Sequence, residues 1–576
     1  MGSIEPRRQG KNTYYVFQET YRVKVNPKDS GKTRGSGKSK VCTRAIYLGK
    51  AGKILQCIQQ GREPSRVKVR QFGLIAAAYQ TACEIDLPQI LMKYIQGKRC
   101  GIPRWIYFFV TIVNRLDHAT SKNKMSKWLK KTILPELMGF DPKTLTSKNF
   151  WYATDEIICE QELRKRREKG ENENDLLVGL KESVFNLIET DLFHQLEQIM
   201  GFSSDVICYD TTNFYTYIEE PKRSELANSC HSKASKHHLK HVGLLMAVEN
   251  SYGIPIVSRI YKANRHDSKV FSFILADLIL AIKKVSGEES NLVLILDKGN
   301  NSEENFQSMV GKISWVGSLV PSHYEDLIDL DISEYHDVWK GFRYYRLKRK
   351  VMNIECSIVL TFSEATKRKQ RHSLKNGIEK LKRNLQTKWQ SYKKPQKQIT
   401  AGIKTMKKKS AYSCCIEVSV KDGQLQIDEN EEEITKRKKR FGKSLIFSNM
   451  LKAESGYLID TYIGKNVIED DFKLLKDPLI IRFQPIRHWT DTKIRAFAFC
   501  CVISMTLLRF MQWKAEKSGY KMSPQVLKEE LSDIEEVIMI YNMKEAKRKI
   551  TDRSSVQDKL WRIFRLGDIE KKLLLQ

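Results

Sequence analysis

Five short apolar runs between residues 204 and 325 constrain this chain more than anything else in it. They cover 206–209, 242–248, 254–261, 292–296 and 313–320, are rich in Val, Ile, Leu and Tyr, and are too short for helices. Helical spacing over 271–284 separates two of them. Strands interleaved with a helix predict an α/β region, a mixed sheet flanked by helices. Two of the runs stop at an acid: Val-Ile-Cys-Tyr-Asp-Thr-Thr places Asp210, and Leu-Val-Leu-Ile-Leu-Asp-Lys-Gly places Asp297. One Asp at the end of an apolar strand is commonly a turn former. If the two strands are neighbours, both carboxylates project at one edge of the sheet. Hard cations such as Mg²⁺ take oxygen ligands, often one or two carboxylates with substrate phosphate and water. Two such ions about 4 Å apart suit chemistry on a phosphodiester.

Charge points to the partner. Among 576 residues, 100 Lys and Arg stand against 68 Asp and Glu, a formal charge of +32. Such an excess repels itself across a compact surface unless a polyanion screens it. The basic residues are spread from end to end, whereas a peripheral membrane protein concentrates them in one patch or amphipathic helix. Double-stranded DNA is the expected partner, with an affinity that falls steeply with salt, and no membrane association is expected. The longest apolar stretches, 105–113 and 496–508, are shorter than the roughly 20 residues that cross a bilayer. The polar, basic start has no apolar signal-peptide core, and the twelve cysteines include no Cys-x-x-Cys. The expectation is a reduced, cytoplasmic protein.

The length suggests roughly three or four domains. Alternating β-branched and aromatic residues over 13–24 and 41–48 predict a β-hairpin within an N-terminal region, 1–60. Helical spacing dominates 61–200, where Ile90, Leu91, Tyr94 and Ile95 precede an aromatic run and a lysine-rich helix with Trp128, Leu129 and Ile133. This region reads as a DNA-binding one, or as an ordinary helical domain with solvated lysines. The apolar runs define 201–325 as the first part of a core. Over 326–455 the pattern breaks, with a helical seam at Leu374, Ile378, Leu381 and Leu385, lysines over 393–409, an Asp422-Gly423 turn, an acidic block at 428–433 and a basic block at 436–440. That segment reads as an insertion. The core resumes over 456–520, and 521–576 is expected to be helical and charged.

A third acid lies in the resumed part, in Tyr-Ile-Gly-Lys-Asn-Val-Ile-Glu-Asp-Asp-Phe-Lys-Leu-Leu-Lys. Glu469, Phe472, Lys473 and Lys476 recur at helical spacing and so share a face. A carboxylate with two ammonium groups gives a metal ligand flanked by phosphate-binding cations, and Tyr462 and Lys465 could extend the grip. An exposed helix with an ordinary Glu–Lys pair explains the same spacing.

The spacing Tyr462-x2-Lys465-x3-Glu469-x6-Lys476 resembles the Tyr-Arg-Glu-Lys signature of a large group of bacterial insertion-sequence transposases with a DDE triad. Other segments are similar to that group in the same order: Tyr47 to Lys50, Tyr209 to Thr212, Ser232-Lys233, Gly253 to Pro255, Asn264 to Asp267, Asp297-Lys298-Gly299 with Asn305, and finally His488 and Ile494. The resemblance covers most of the chain and is weakest in the insertion and the tail. It implies a ribonuclease-H-like core interrupted by an insertion domain, with Asp210, Asp297 and Glu469 holding two Mg²⁺ ions, for which Mn²⁺ would substitute. Tyr462, Lys465 and Lys476 would grip phosphates near the cut end, with Lys298, Lys473, His488 and Trp489 as further DNA contacts. It also implies cleavage at terminal inverted repeats, a hairpin intermediate, strand transfer into target DNA, a homodimer in the DNA-bound complex and a bacterial or archaeal, nucleoid-associated setting. Lys465 stands where the signature has Arg, which keeps the charge and loses bidentate phosphate geometry. His237 and His238 lie in a stretch where members of that group often carry Arg.

Two readings rival this one: a metal-dependent nuclease without strand transfer, and a DNA-binding regulator derived from a transposase. Gly31-Lys32-Thr33 and Gly37-Lys38-Ser39 lack the earlier glycine of a phosphate loop. Cys230, His231, His237, His238 and His241 match no standard zinc spacing. Trp489 could stack on a flipped base or be a buried core indole.

Overall fold

A computed structural model of the chain describes residues 2–9, 12–24, 39–50, 64, 66–154, 184–218, 224–230, 236–265, 267–286, 291–391, 396–421, 424–541 and 545–574. The Gly-Lys loops at 31–33 and 37–38, His231, Ser232-Lys233 and the Asp422-Gly423 turn lie outside these residues. The chain divides into two compact units, Met1–Arg70 with Glu535–Asp552, and Gln71–Ile534 with Arg553–Gln576.

In the first unit the expected hairpin is present. Strands β1 (Gly2–Gln9), β2 (Asn12–Lys24) and β3 (Ser39–Lys50) form an antiparallel sheet, with a bulge in the β2–β3 ladder between Tyr15 and Val16. A second sheet joins β4 (Arg66–Gln71) to a late hairpin, β18 (Glu535–Tyr541) and β19 (Glu545–Ile550), in the order β19-β18-β4. These strands correct two expectations: 66–71 is not helical, and the C-terminal tail is interrupted by a hairpin. The cause is pairing between segments hundreds of residues apart, which local spacing does not register. Arg70 Nε donates to the buried Glu536 carboxylate at 2.7 Å within this sheet.

The second unit opens with helices α1 (Gly73–Glu84), α2 (Leu87–Tyr94), the two-residue strands β5 (Lys98–Arg99) and β6 (Ile102–Pro103), α3 (Arg104–Leu116), α4 (Lys122–Leu129), α5 (Leu134–Met138), α6 (Ser147–Ala153) and α7 (Val184–Met200). Trp128, Leu129 and Ile133 are buried, so the lysine-rich helix turns its apolar side inward.

There follow β7 (Val206–Tyr215), β8 (His241–Glu249), β9 (Pro255–Lys262), α8 (Asp267–Ser286), β10 (Val293–Leu296), α9 (Glu303–Met309), β11 (Ser314–Ser318), α10 (Glu325–Ile328), β12 (Asp337–Trp339), β13 (Phe342–Val351) and β14 (Ile354–Phe362). A nine-stranded mixed sheet runs β12-β13-β14-β17-β11-β10-β7-β8-β9, with β17 spanning Lys443–Ser448. β7, β10 and β11 are mutually parallel and every other neighbouring pair is antiparallel. Every residue of β8 and β10 is buried, as expected of strands covered on both faces. The segment 326–455 therefore begins and ends inside the sheet. What stands apart is α11 (Glu364–Ser391), α12 (Gln396–Lys408), β15 (Ile416–Lys421), β16 (Gln424–Glu429) and α13 (Glu431–Arg440), which share a small core of their own.

After β17 come α14 (Ser455–Gly464), α15 (Asn466–Lys476), α16 (Asp491–Lys517), α17 (Pro524–Ser532), α18 (Ser555–Ile563) and α19 (Leu566–Leu574). α16 is 27 residues long, with an 18-residue window of mean hydropathy 1.7, so it meets the length and composition of a membrane span where the apolar runs had suggested nothing that long. In this fold 83% of that window is buried against other elements, which is how a central core helix is placed.

Candidate active site

Strands β7 and β10 are parallel neighbours whose last paired residues are Tyr209 and Leu296. Asp210 and Asp297 each follow that pair by one residue, so the ladder itself sets the two acids side by side. One expectation needs correcting. Asp210 does not end its strand, because β7 continues to Tyr215 by pairing with β8, Asp210 opposite Met246 and Tyr215 opposite His241. Asp297 does end β10 and precedes a short 3₁₀ turn at Lys298–Asn300. The carboxylate of Asp210 accepts the backbone N–H of Thr211 at 2.7 Å.

Glu469 arrives on α15, which packs on β7. The decisive contact is Lys465, at the junction of α14 and α15. Its ammonium donates to Asp297 Oδ1 at 2.8 Å and lies 3.2 Å from Glu469 Oε1. Burial alone would push the Asp297 carboxyl up, but the hydrogen bond and charge of Lys465 reverse this and hold it below its ordinary value. Burial likewise opposes charge on Lys465, and the bond to Asp297 outweighs it, raising that group. One cation thus already sits between two of the three acids.

Lys476 lies two turns along α15 and donates to Thr212 Oγ1 at 2.5 Å. Asp210 and Thr212 share a face of β7 by the two-residue period of a strand, so Lys476 stands on the same side as the first acid. Tyr462 is largely buried, which raises its hydroxyl, and it pairs with Ser318 at the end of β11. Lys298 is exposed beside Asp297. Lys473 points to solvent and pairs with Asp470 at 2.7 Å.

His488 and Trp489 sit elsewhere. The loop before them runs beside the far end of β7, where the Ile486 N–H donates to the Tyr215 carbonyl. Six residues separate Asp210 from the Thr216 bridge to Ile486, roughly 20 Å of strand. His488 packs against the Phe497 ring, and burial with Lys122, Arg115 and Lys493 nearby holds its pKa well below the ordinary value, so it is neutral. Trp489 is not a buried core indole: it is 50% exposed and lies edge-on to Trp151, ring centroids 6.0 Å apart.

Residues beyond the motif fix α15 in place. Asp471 is fully buried and paired with Arg509 of α16 at 2.7 Å; burial pushes its carboxyl up to about 7 despite that partner. Gly253, in the turn between β8 and β9, has φ +73°, and a Cβ there would lie 2.6 Å from Asp471 Oδ2. Asn250 of the same turn fills the space beside Gly464, and Cys208 of β7 donates to Asn250 Oδ1 at 3.1 Å. One turn thereby braces both the helix that carries Glu469 and the strand that carries Asp210. A lone Arg509 inside the apolar run Leu507 to Met511 was the sequence signal for a buried acid.

Asp297 and Glu469 present only carboxylate oxygens around a single cation, a donor set that fits a hard divalent ion completed by water and phosphate. Among the described residues, no group of three His, Cys, Asp or Glu side chains could hold a metal ion, and the Cys230 and His241 region forms no such group either.

No protein-family description matches the chain, and no curated protein matches it. Among solved structures, the chain aligns with a piggyBac transposase synaptic complex with hairpin DNA, over 80% of this chain and 77% of that one, at 10% identity and a TM-score of 0.37. That score is too low for a shared fold to be read from it.

Proposed function

We propose that this chain is a cut-and-paste DNA transposase with a DDE triad of Asp210, Asp297 and Glu469, on a ribonuclease-H-like core interrupted by an insertion. The observation that carries the reading is the Lys465 ammonium shared by Asp297 and Glu469 at the ladder end beside Asp210. Acids far apart in sequence meet there around one positive charge, where two interior strands of the mixed sheet stop pairing. The net charge of +32 supports a polyanionic substrate.

In this reading Asp297 and Glu469, with Asp210 beside them in the ladder, would hold Mg²⁺, and the ion would supply Lewis-acid activation of water or a 3′ hydroxyl and stabilisation of the leaving oxygen. Lys465, which pairs with Asp297 and Glu469, would be the residue nearest the acids to contact substrate phosphate. Lys476 and Tyr462 hold the phosphates flanking the cut, and Lys298 extends that grip at the rim. Trp489 lies outside this cluster; its half-exposed ring beside Trp151 supports a stacking role on an unpaired base away from the acids. Two ends must be joined, so the working form is a homodimer on DNA.

Pre-cleaved ends incubated with a supercoiled target and Mg²⁺ test the reading. Joined product is expected. Nicking without joining would assign the chain as a nuclease, and binding without either reaction would assign it as a regulator.

A further inference from the structure

We propose that α11 and α12 form a second DNA surface, one that lies along the phosphate backbone of duplex DNA without reading its sequence. α11 is 28 residues long and buries four side chains, Leu374, Ile378, Leu381 and Leu385, against the small core it shares with α12, β16 and α13. At 100° per residue, Lys369, His372, Lys380 and Arg383 fall opposite that seam, with Arg368 and Lys375 on its flank. All six are exposed. The helix carries nine Lys or Arg against two Glu. α12 packs alongside it and adds the exposed Lys404 and Lys408.

An ordinary solvated helix face would not be built this way. Exposed helices gain from opposite charges at i,i+4 and lose from like ones, yet Arg368, Arg371 and Lys375 follow one another at spacings of three and four. Lys367 pairs with Glu364 at 3.6 Å, and Arg368 and Lys369 continue the run beyond it. The run of like charges does not help the helix and suits a polyanion.

The surface is also joined to the candidate site. A cavity of about 310 Å³ at the foot of α11 is lined by Lys367 and Glu364 together with Gly341 of the β12–β13 turn and Arg343 of β13. Lys340 in the same turn pairs with Asp460 of α14 at 2.8 Å, and α14 carries Tyr462. The basic helix is thereby tied to the helix that leads into the site.

The inference uses the proposed function only in naming DNA as the polyanion. The test is equilibrium binding of the full chain to a fluorescent 30-bp duplex without inverted repeats, across a range of salt. The variant replaces Arg368, Arg371, Lys375, Lys380 and Arg383 by Gln. A charge-matched control replaces the exposed Lys436, Lys438, Lys439, Lys517 and Lys521 by Gln. Each phosphate contact contributes about 0.9 to the log–log salt slope, so the α11 variant is expected to lose about 3 to 4 from the slope and at least tenfold in affinity. The control is expected to lose less than half as much. Equal losses in variant and control, or a slope unchanged in the variant, would overturn the inference. Tighter binding of anionic phospholipid vesicles than of duplex, abolished in the variant, would also overturn it in favour of a lipid. Loss of duplex affinity in a protein that shows no strand transfer would uphold the surface while removing the transposase reading.

Discussion

The carboxylate site and the α11–α12 hairpin use charge in opposite ways. At and behind the site, opposite charges are paired: Lys465 joins Asp297 to Glu469, and Asp471 faces Arg509 in the interior. On α11 cations follow cations along the face opposite a four-residue apolar seam. Paired charges in a partly buried setting fix geometry, because moving one leaves the other desolvated and uncompensated. Like charges on a surface fix nothing locally and act through their summed field. The contrast teaches that a net charge of +32 is not one property of this chain. Part of it is paired with acids within the fold, and part of it gathers on one exposed helix face.

The sharpest way to break the comparison is at Glu469. Glu469→Gln keeps the shape of the side chain and removes the charge. Cleavage of an end-bearing duplex with Mg²⁺ is expected to fall by about 10³-fold, while duplex affinity changes little. If affinity and cleavage fell together, the acid would belong to binding rather than to chemistry. Next is the interior pair. Arg509→Met strands Asp471 without its partner and is expected to cost about 3–5 kcal/mol in urea unfolding. The pair also carries a pH signature. The folded pKa of Asp471 lies above its unfolded value of 3.8, at about 7. Its contribution to stability is therefore complete below about pH 4 and lost as pH rises through 7. Asp471→Asn should flatten stability across that window; an unchanged slope would show that Asp471 is ionised throughout.

Much of this was legible in the sequence, for reasons that can be located. β8, β10 and the apolar part of β7 announced themselves because strands covered on both faces read as unbroken apolar runs. The acids stood out because they closed those runs. The extension of β7 past Asp210 did not, since Thr211 to Tyr215 is held by β8 rather than by its own pattern. β4 and β18 were missed for the same reason, being partners drawn from opposite ends of the chain. The strands β12 to β14 and β17 were read as part of an insertion because exposed basic residues on β13 mask its alternation. The pairing of Lys465 with Glu469 follows from their i,i+4 spacing, but the reach of Lys465 to Asp297, 168 residues earlier, is set by the tertiary fold and not by local spacing. The place of Trp489 is not legible in the sequence because its ring neighbour, Trp151, lies far away along the chain.

Gly253 offers a gentler test of the brace behind α15. Ala at φ +73° is strained, and its Cβ would press on Asp471 Oδ2. Gly253→Ala is expected to cost about 1–3 kcal/mol and to slow cleavage several-fold by displacing Glu469. Duplex binding should hold. A variant that lost stability but cleaved at the normal rate would mean that the turn supports the fold and not the site.

The smallest effect separates two lysines of one helix. Lys473 and Lys476 are three residues apart, and both were expected to hold phosphate. Lys473 is 72% exposed and paired with its neighbour Asp470 on the surface, an arrangement worth about 0.2–1 kcal/mol at most. Lys476 reaches inward to Thr212 on the strand of the first acid. Lys473→Ala should therefore leave cleavage within about twofold and only slightly flatten the salt dependence of binding. Lys476→Ala should slow cleavage by tenfold or more at saturating DNA. The pair divides the helix into a side that works through the field and a side that works through contact. Equal effects of the two substitutions would erase that division and make α15 one more basic surface.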